Sequence, residues 1–199
     1  MERPPKYGIL PSRRKRRMSC PPITFADLSE MRGKHFYSRN YEKEGLYLSP
    51  KDAQRFASFE CILETSSKRI LFTDDRVLKT YSYLVDVSQI VEKMNLAGLV
   101  VPVPQVYEYG YSGNSSYILM ERVAGYPLSN MIEYFDCPIP EQVTNQLRDM
   151  VKRIASVGLC HNDLFPRNVV MSLDWNINAI IDWDECVPLL SEESMQGEP

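Results

Sequence analysis

The stretch "CHNDLFPRNVV", residues 160–170, sets a histidine, two asparagines, an aspartate and an arginine between apolar runs. Immediately after it, "NVVMSL" (168–173) and "INAIID" (177–182) flank the turn-forming "DWN" (174–176). This spacing predicts an antiparallel β-ribbon. His161, Asp163 and Asn168 lie on the loop entering its first strand, and Asp182 lies at the exit of its second. Antiparallel pairing brings entry and exit to one end, so Asp163, Asn168 and Asp182 are expected to converge. A carboxylate and an amide oxygen make a hard oxygen site suited to Mg²⁺, which keeps several waters and is commonly completed by nucleotide phosphates. The remaining carboxylate, Asp163, is placed to accept or orient a substrate hydroxyl.

Upstream, residues 138–158 put Val143, Leu147, Met150, Val151, Ile154 and Val157 on one face, with prolines in front and Gly158 behind. That is the pattern of an amphipathic helix. Further upstream, 60–66, 69–73 and 76–82 are three short β-prone runs separated by "SSK" and "DD", and read as a small antiparallel sheet. Residues 83–98 carry Leu84, Val87, Val91 and Met94 at helical spacing, with Gly98 as the stop. Pro102 and Pro104 forbid a helix from continuing. Two strands, near 105–110 and 116–123, then flank the turn "SGNS".

The 199-residue chain has an ordinary globular composition, 44% hydrophobic and 25% charged. It contains no apolar run long enough to span a membrane, and its first residues lack a secretory pattern. Five scattered cysteines (Cys20, Cys61, Cys137, Cys160, Cys186), odd in number and without CxxC spacing, suggest reduced thiols in an intracellular, cytoplasmic setting. The net charge of −3 conceals a basic start: the first 20 residues hold seven Lys/Arg against one Glu. Residues 1–24, with five prolines and "RRKRR" at 13–17, read as a disordered basic arm, with nuclear targeting as the alternative use of the basic run. The remainder is acidic, which argues against nucleic acid as a partner.

"HNDLFPRN" followed by "IIDWD" resembles the HxDxxxxN…IDW signature of the aminoglycoside phosphotransferase and choline kinase group. The resemblance spans about residues 59–186, and "RVLK" (76–79), "VPVPQVY" (101–107) and "YILMERVAG" (117–125) follow in the family's order. It implies an α+β, protein-kinase-like, two-lobed fold: a small antiparallel-sheet N-lobe at 59–123 and a partial helical C-lobe with the catalytic loop at 124–199, after an N-terminal extension at 25–58. It also implies ATP and Mg²⁺ as cofactors and transfer of the γ-phosphate to a hydroxyl of a small molecule. Phosphoryl transfer needs mainly positioning and electrostatic stabilisation, which suits so sparse a set of groups.

Carried over by residue, Asp163 matches the catalytic-loop aspartate. Asn168 and Asp182 match the Mg²⁺ ligands, and Lys79 the lysine that contacts nucleotide phosphates. Met120, Glu121 and Arg122 match the hinge whose backbone meets the adenine edge, although Met120 also reads as core. Glu92 is a candidate ion-pair partner for Lys79, with Gln89 as the alternative. Asp184 reads either as an acid backing the ligands or as a helix cap. His161 reads as a brace for the loop.

The turn between the first two strands has no glycine, so Ser66 and Ser67 are the candidates for phosphate contact there. The motif reads "HND" where aminoglycoside phosphotransferases usually carry glycine between His and Asp. The chain stops about 17 residues after Asp182, where the family usually continues with helices that form much of the acceptor pocket. The alternative to an active enzyme is therefore a catalytically impaired, pseudokinase-like binding protein or a shortened product.

Overall fold

The computed structural model describes residues 48–65, 67–136 and 138–189. Expectations for the basic arm, the extension up to residue 47, Ser66, Cys20, Cys137 and residues 190–199 lie outside the described residues.

The chain opens with a short helix, α1 (Pro50–Arg55), capped by Ser49, whose side chain accepts the Asp52 amide. Three antiparallel strands follow, β1 (Glu60–Glu64), β2 (Lys68–Phe72) and β3 (Arg76–Tyr81). Helix α2 (Val87–Gly98) then leads to β4 (Val106–Ser112) and β5 (Ser115–Glu121). The five strands form one antiparallel sheet in the order β1-β2-β3-β5-β4. The β4–β5 hairpin closes through Gly113, whose positive φ of 63° suits glycine at a tight turn.

β3 lies at the centre of this sheet, and its two faces meet different cores. Leu78, with Leu71, Tyr117 and Leu119, packs under Leu48 and Phe56 from the α1 side. Tyr81 and Ile118 face α2, whose Val87, Ile90, Val91, Met94 and Ala97 join Ile154, Leu159, Ile180 and Trp183 in a second core. Fully burying each of these larger side chains stabilises by about 1.5–3 kcal/mol. The second core draws on both the sheet and the segments that follow it, so it fixes the sheet against the loop at 160–168.

Beyond β5 come β6 (Tyr126–Pro127), α3 (Leu128–Phe135) and α4 (Glu141–Ser156). They are followed by β7 (Leu159–Cys160), a 3₁₀ turn (Pro166–Asn168), β8 (Val169–Met171), β9 (Ile177–Ile180), a second 3₁₀ turn (Trp183–Glu185) and β10 (Val187–Pro188). β8 and β9 pair antiparallel as the expected ribbon, with β6 added alongside; β7 pairs with β10. Leu128, Met131, Val143, Val169, Met171, Trp175 and Ile177 make a third core between the ribbon and α3 and α4.

The sheet, the helix after it, the hairpin, the long helix and the ribbon thus follow the expected order, and the architecture is α+β. Some details differ. α2 starts at Val87, because Asp86 caps it by accepting the Gln89 amide, so Leu84 lies outside the helix and is 60% exposed. Gly98 is the last helical residue rather than the stop beyond it. Val151 is exposed on α4, whose buried residues are Val143 and Ile154. α1, β6 and α3 carried no clear pattern in the sequence.

Candidate active site

Two loops meet at the end of the β8–β9 ribbon. The amide of Ile181 donates to the carbonyl of Asn168 at 2.9 Å, which extends the Val169–Ile180 pairing by one rung. Asn168 and the start of "DWD" are therefore side by side. Within the 160–168 loop, Asn168 Nδ2 donates to both the carbonyl and Oδ2 of Asp163, each at 2.8 Å. These two bonds account for the amide's donors. Its Oδ1 accepts no hydrogen bond among the described residues, so it is available as a ligand oxygen.

His161 ties the two loops from beneath. Its Nε2 donates to the Ile181 carbonyl at 3.1 Å, and its Nδ1 accepts the Asp163 amide at 3.3 Å. The pair of contacts specifies the neutral tautomer with the proton on Nε2. Burial pushes the His161 pKa down, outweighing the carbonyl bond and the nearby Asp182 and Asp163 charges. The ring also lies edge-on to Trp183, centroids 4.6 Å apart, and the Trp183 indole N–H is satisfied by the Ile180 carbonyl at 2.9 Å. His161 is a brace, as its place in the motif suggests.

The backbone at both loops is left-handed. Asn162 has φ of 63° and Asp182 φ of 63° with ψ of 65°. Asparagine, aspartate and glycine tolerate this region best. The asparagine of "HND" therefore meets the same conformational demand that a glycine would.

Lys79 enters from β3. It is buried at 5% exposure, and its Nζ is paired with Asp182 Oδ1 and, at 2.7 Å, with Asp184 Oδ1. Asp184 also accepts from Tyr81 Oη at 2.9 Å and, on Oδ2, from Lys68 Nζ at 2.7 Å. Burial works against the Asp184 carboxylate, but the Lys79 charge and the bonds from Lys68 and Lys79 outweigh it and hold its pKa below the usual carboxylate value. Burial similarly works against the Lys68 ammonium, and Asp184 reverses this and raises its pKa. The Tyr81 hydroxyl is pushed upward by burial and by Asp184.

Asp184 thus gathers Lys68, Lys79 and Tyr81 rather than capping a helix: the capping position of the 3₁₀ turn belongs to Asp182, whose side chain makes no capping bond. The expected partnership of Lys79 with Glu92 is absent. Glu92 is exposed on α2 and makes no hydrogen bond or ion pair among the described residues, and Gln89 bonds Asp86 instead.

Asp163 has a further neighbour. Arg167 Nη2 lies 2.7 and 2.8 Å from its two carboxylate oxygens, and the guanidinium stacks on Phe165 at 4.6 Å. At the end of β5, the Glu121 amide donates to the Gln105 carbonyl and the Arg122 amide to the Asp75 carbonyl. Met120 is half-buried and pairs with Val77 and Val106 within the sheet. Ser67 sits in the β1–β2 turn, its amide 3.4 Å from Thr65 Oγ1.

The residues present fit a magnesium–nucleotide complex. Asn168 Oδ1 and Asp182 Oδ2 carry no hydrogen bond among the described residues, whereas the other oxygens of the cluster are engaged. No group of three or more His, Cys, Asp or Glu side chains is arranged to hold a metal among the described residues. Two protein ligands are the usual complement for Mg²⁺, whose remaining positions go to water and phosphate.

Sequence reasoning missed Lys68, Tyr81 and Arg167. Lys68 and Tyr81 had a recoverable signal, since pairing β2 with β3 across a short turn sets Lys68 opposite Tyr81, and Tyr81 shares a face with Lys79. Arg167 stands four residues after Asp163, but nothing in its spacing distinguished it from a solvated loop arginine.

Residues 138–188, the segment with α4, the 160–168 loop, the ribbon and the second 3₁₀ turn, match the Phosphotransferase enzyme family, APH. No curated protein matches the chain. Among solved structures, a co-crystal structure of WbdD and the kinase inhibitor LY294002 is similar at 21% identity and a TM-score of 0.48, over 63% of this chain and 32% of that one. A high-resolution crystal structure of WbdD is similar at 23% identity and a TM-score of 0.48, over 63% and 31%. A structure described as the bifunctional kinase-methyltransferase WbdD gives 21%, 0.48, 62% and 31%. The chain spans about a third of the length of these structures. No helix among the described residues is long and apolar enough to cross a membrane.

Proposed function

We propose that this chain is an ATP- and Mg²⁺-dependent phosphotransferase that moves the γ-phosphate to a hydroxyl of a small molecule. The observation that carries this reading is the junction of Asp163, Asn168 and the "DWD" segment at one end of the ribbon, with the buried ammonium of Lys79 against Asp182. The family match over the same segment supports it.

In this reading Asn168 and Asp182 hold the magnesium, which neutralises phosphate charge. Lys79 binds phosphate oxygens. Asp163 orients the acceptor hydroxyl and takes its proton as the new P–O bond forms and the bond to ADP breaks. Glu121 and Arg122 already use their amides within the protein, so the adenine edge meets hinge carbonyls and the next amide, that of Val123. Of the two turn serines, Ser67 is a candidate phosphate contact; Ser66 keeps that role as an expectation only. ATP chemistry also favours an intracellular, cytoplasmic setting.

A second reading, a nucleotide-binding protein without turnover, draws on one observation: Arg167 and Asn168 between them engage both oxygens of Asp163. One experiment separates the two. Mg·ATP should raise the melting temperature of the chain, since a ligand of the native state alone stabilises it. Radiolabelled γ-phosphate should be lost from ATP to an acceptor or to water, and Asp163→Asn and Asp182→Asn should each abolish that loss. Stabilisation without any transfer selects the binding protein, and no stabilisation removes both readings.

A further inference from the structure

We propose that Lys68 is a second phosphate-binding cation of this site and works with Lys79 on the nucleotide's triphosphate. This rests on the phosphotransferase reading above and assigns to a side chain the phosphate contact that protein kinases draw from a glycine-rich loop.

The β1–β2 turn is poorly equipped for that loop's usual role. It reads Thr65, Ser66, Ser67, with no glycine. The amides of Ser67 and Lys68 both point to Thr65 Oγ1, at 3.4 and 3.0 Å, so neither is offered to a ligand. Close approach of backbone to phosphate is not available from these groups.

The next residue compensates. Lys68 opens β2 and pairs with Tyr81, so its side chain leaves the sheet on the face that carries Tyr81 and Lys79. Its ammonium reaches Asp184 Oδ2 at 2.7 Å, while that of Lys79 reaches Oδ1 of the same carboxylate at 2.7 Å. Two ammonium groups therefore flank one buried carboxylate beside Asp182. A surface lysine ordinarily keeps its head in water; this one is drawn inward, to 29% side-chain exposure.

The two lysines differ in freedom. The Lys79 side chain is 7% exposed and pinned by Asp182 as well as Asp184, so it is a fixed cation. Among the described residues Lys68 has one carboxylate partner, and its side chain is partly open to solvent. A strongly hydrated ammonium on a four-carbon stem can exchange one anionic partner for another. Asp184 is the holder from which Lys68 transfers to a phosphate, while Lys79 and Tyr81 keep Asp184 satisfied after the exchange.

Isothermal titration of the full chain with Mg·ATP and with adenosine tests this. Lys68→Met, which keeps the aliphatic stem, should weaken Mg·ATP binding about tenfold or more. Its adenosine affinity should stay within about twofold of wild type, and Lys68→Arg should restore most of the Mg·ATP affinity. Equal Mg·ATP affinity in wild type and Lys68→Met would overturn the assignment, and so would a parallel loss for adenosine, which marks a structural role. Absence of Mg·ATP binding in the wild-type chain overturns the phosphotransferase reading itself. A loss confined to the variant comparison concerns Lys68 alone.

Discussion

Lys79 and Asp184 form a 2.7 Å ion pair across 105 positions of sequence, joining the central strand of the sheet to the turn after the ribbon. Both side chains are nearly buried, at 7% and 9% exposure. A charge in that setting is tolerated because it is paired and hydrogen-bonded on all sides. The pair therefore acts as a fastener between the sheet and the loop that carries Asp182.

Removing Asp184 takes the carboxylate from Lys68 and Tyr81 and leaves Lys79 with Asp182 alone in a dry place. Asp184→Ala is expected to destabilise the fold by about 3 kcal/mol, the low end of the cost of breaking a buried ion pair, because Asp182 still pairs with Lys79. Urea unfolding followed by tryptophan fluorescence measures it, and Trp183 reports directly from this turn. A loss under about 1 kcal/mol would mean that the fastener carries no weight.

The Arg167–Asp163 pair should behave differently, although its distances are as short. Arg167 is 57% exposed, so water screens the pair and competes for both groups. Arg167→Ala is expected to cost less than about 1 kcal/mol in the same urea measurement. A loss matching that of Asp184→Ala would show that exposure is the wrong criterion here.

Stability should fall in acid in two stages. The folded-state pKa of His161 is held below its ordinary 6.5, so the neutral ring's contribution is full above that value and is lost as pH falls through the folded value. Asp184 is held below 3.8, so its contribution persists to lower pH and is lost as pH falls through its own folded value. On the alkaline side, Lys68 is raised above 10.5; its contribution is full below that value and is lost as pH rises through the folded value. Melting temperature against pH should therefore decline first below about pH 6.5, and His161→Asn should remove that first decline. A wild-type curve flat between pH 7 and 5 would refute the lowered His161 pKa.

How far the sequence reached depends on the range of the interactions involved. The β-ribbon, α2 and α4 were legible because alternation and helical spacing record which face is buried, and turn residues mark the ends. Leu84 and Val151 misled because periodicity cannot see a cap: Asp86 starts α2 after Leu84, and Val151 faces away from everything α4 packs against. β6 and α3 were missed because two paired residues and an eight-residue helix are too short to carry a period.

By itself, the sequence determined that Asp163, Asn168 and Asp182 would share one end of a hairpin, since local pairing and a two-residue side-chain repeat suffice for that. Only the tertiary structure decided the partner of Lys79. Local spacing offers Glu92, with Gln89 as the alternative, whereas the packing of α2 and Trp183 against the sheet gives Lys79 to Asp182 and Asp184. That core turns Glu92 to solvent and sets Asp184 beneath two lysines, an outcome of long-range burial that no local pattern encodes.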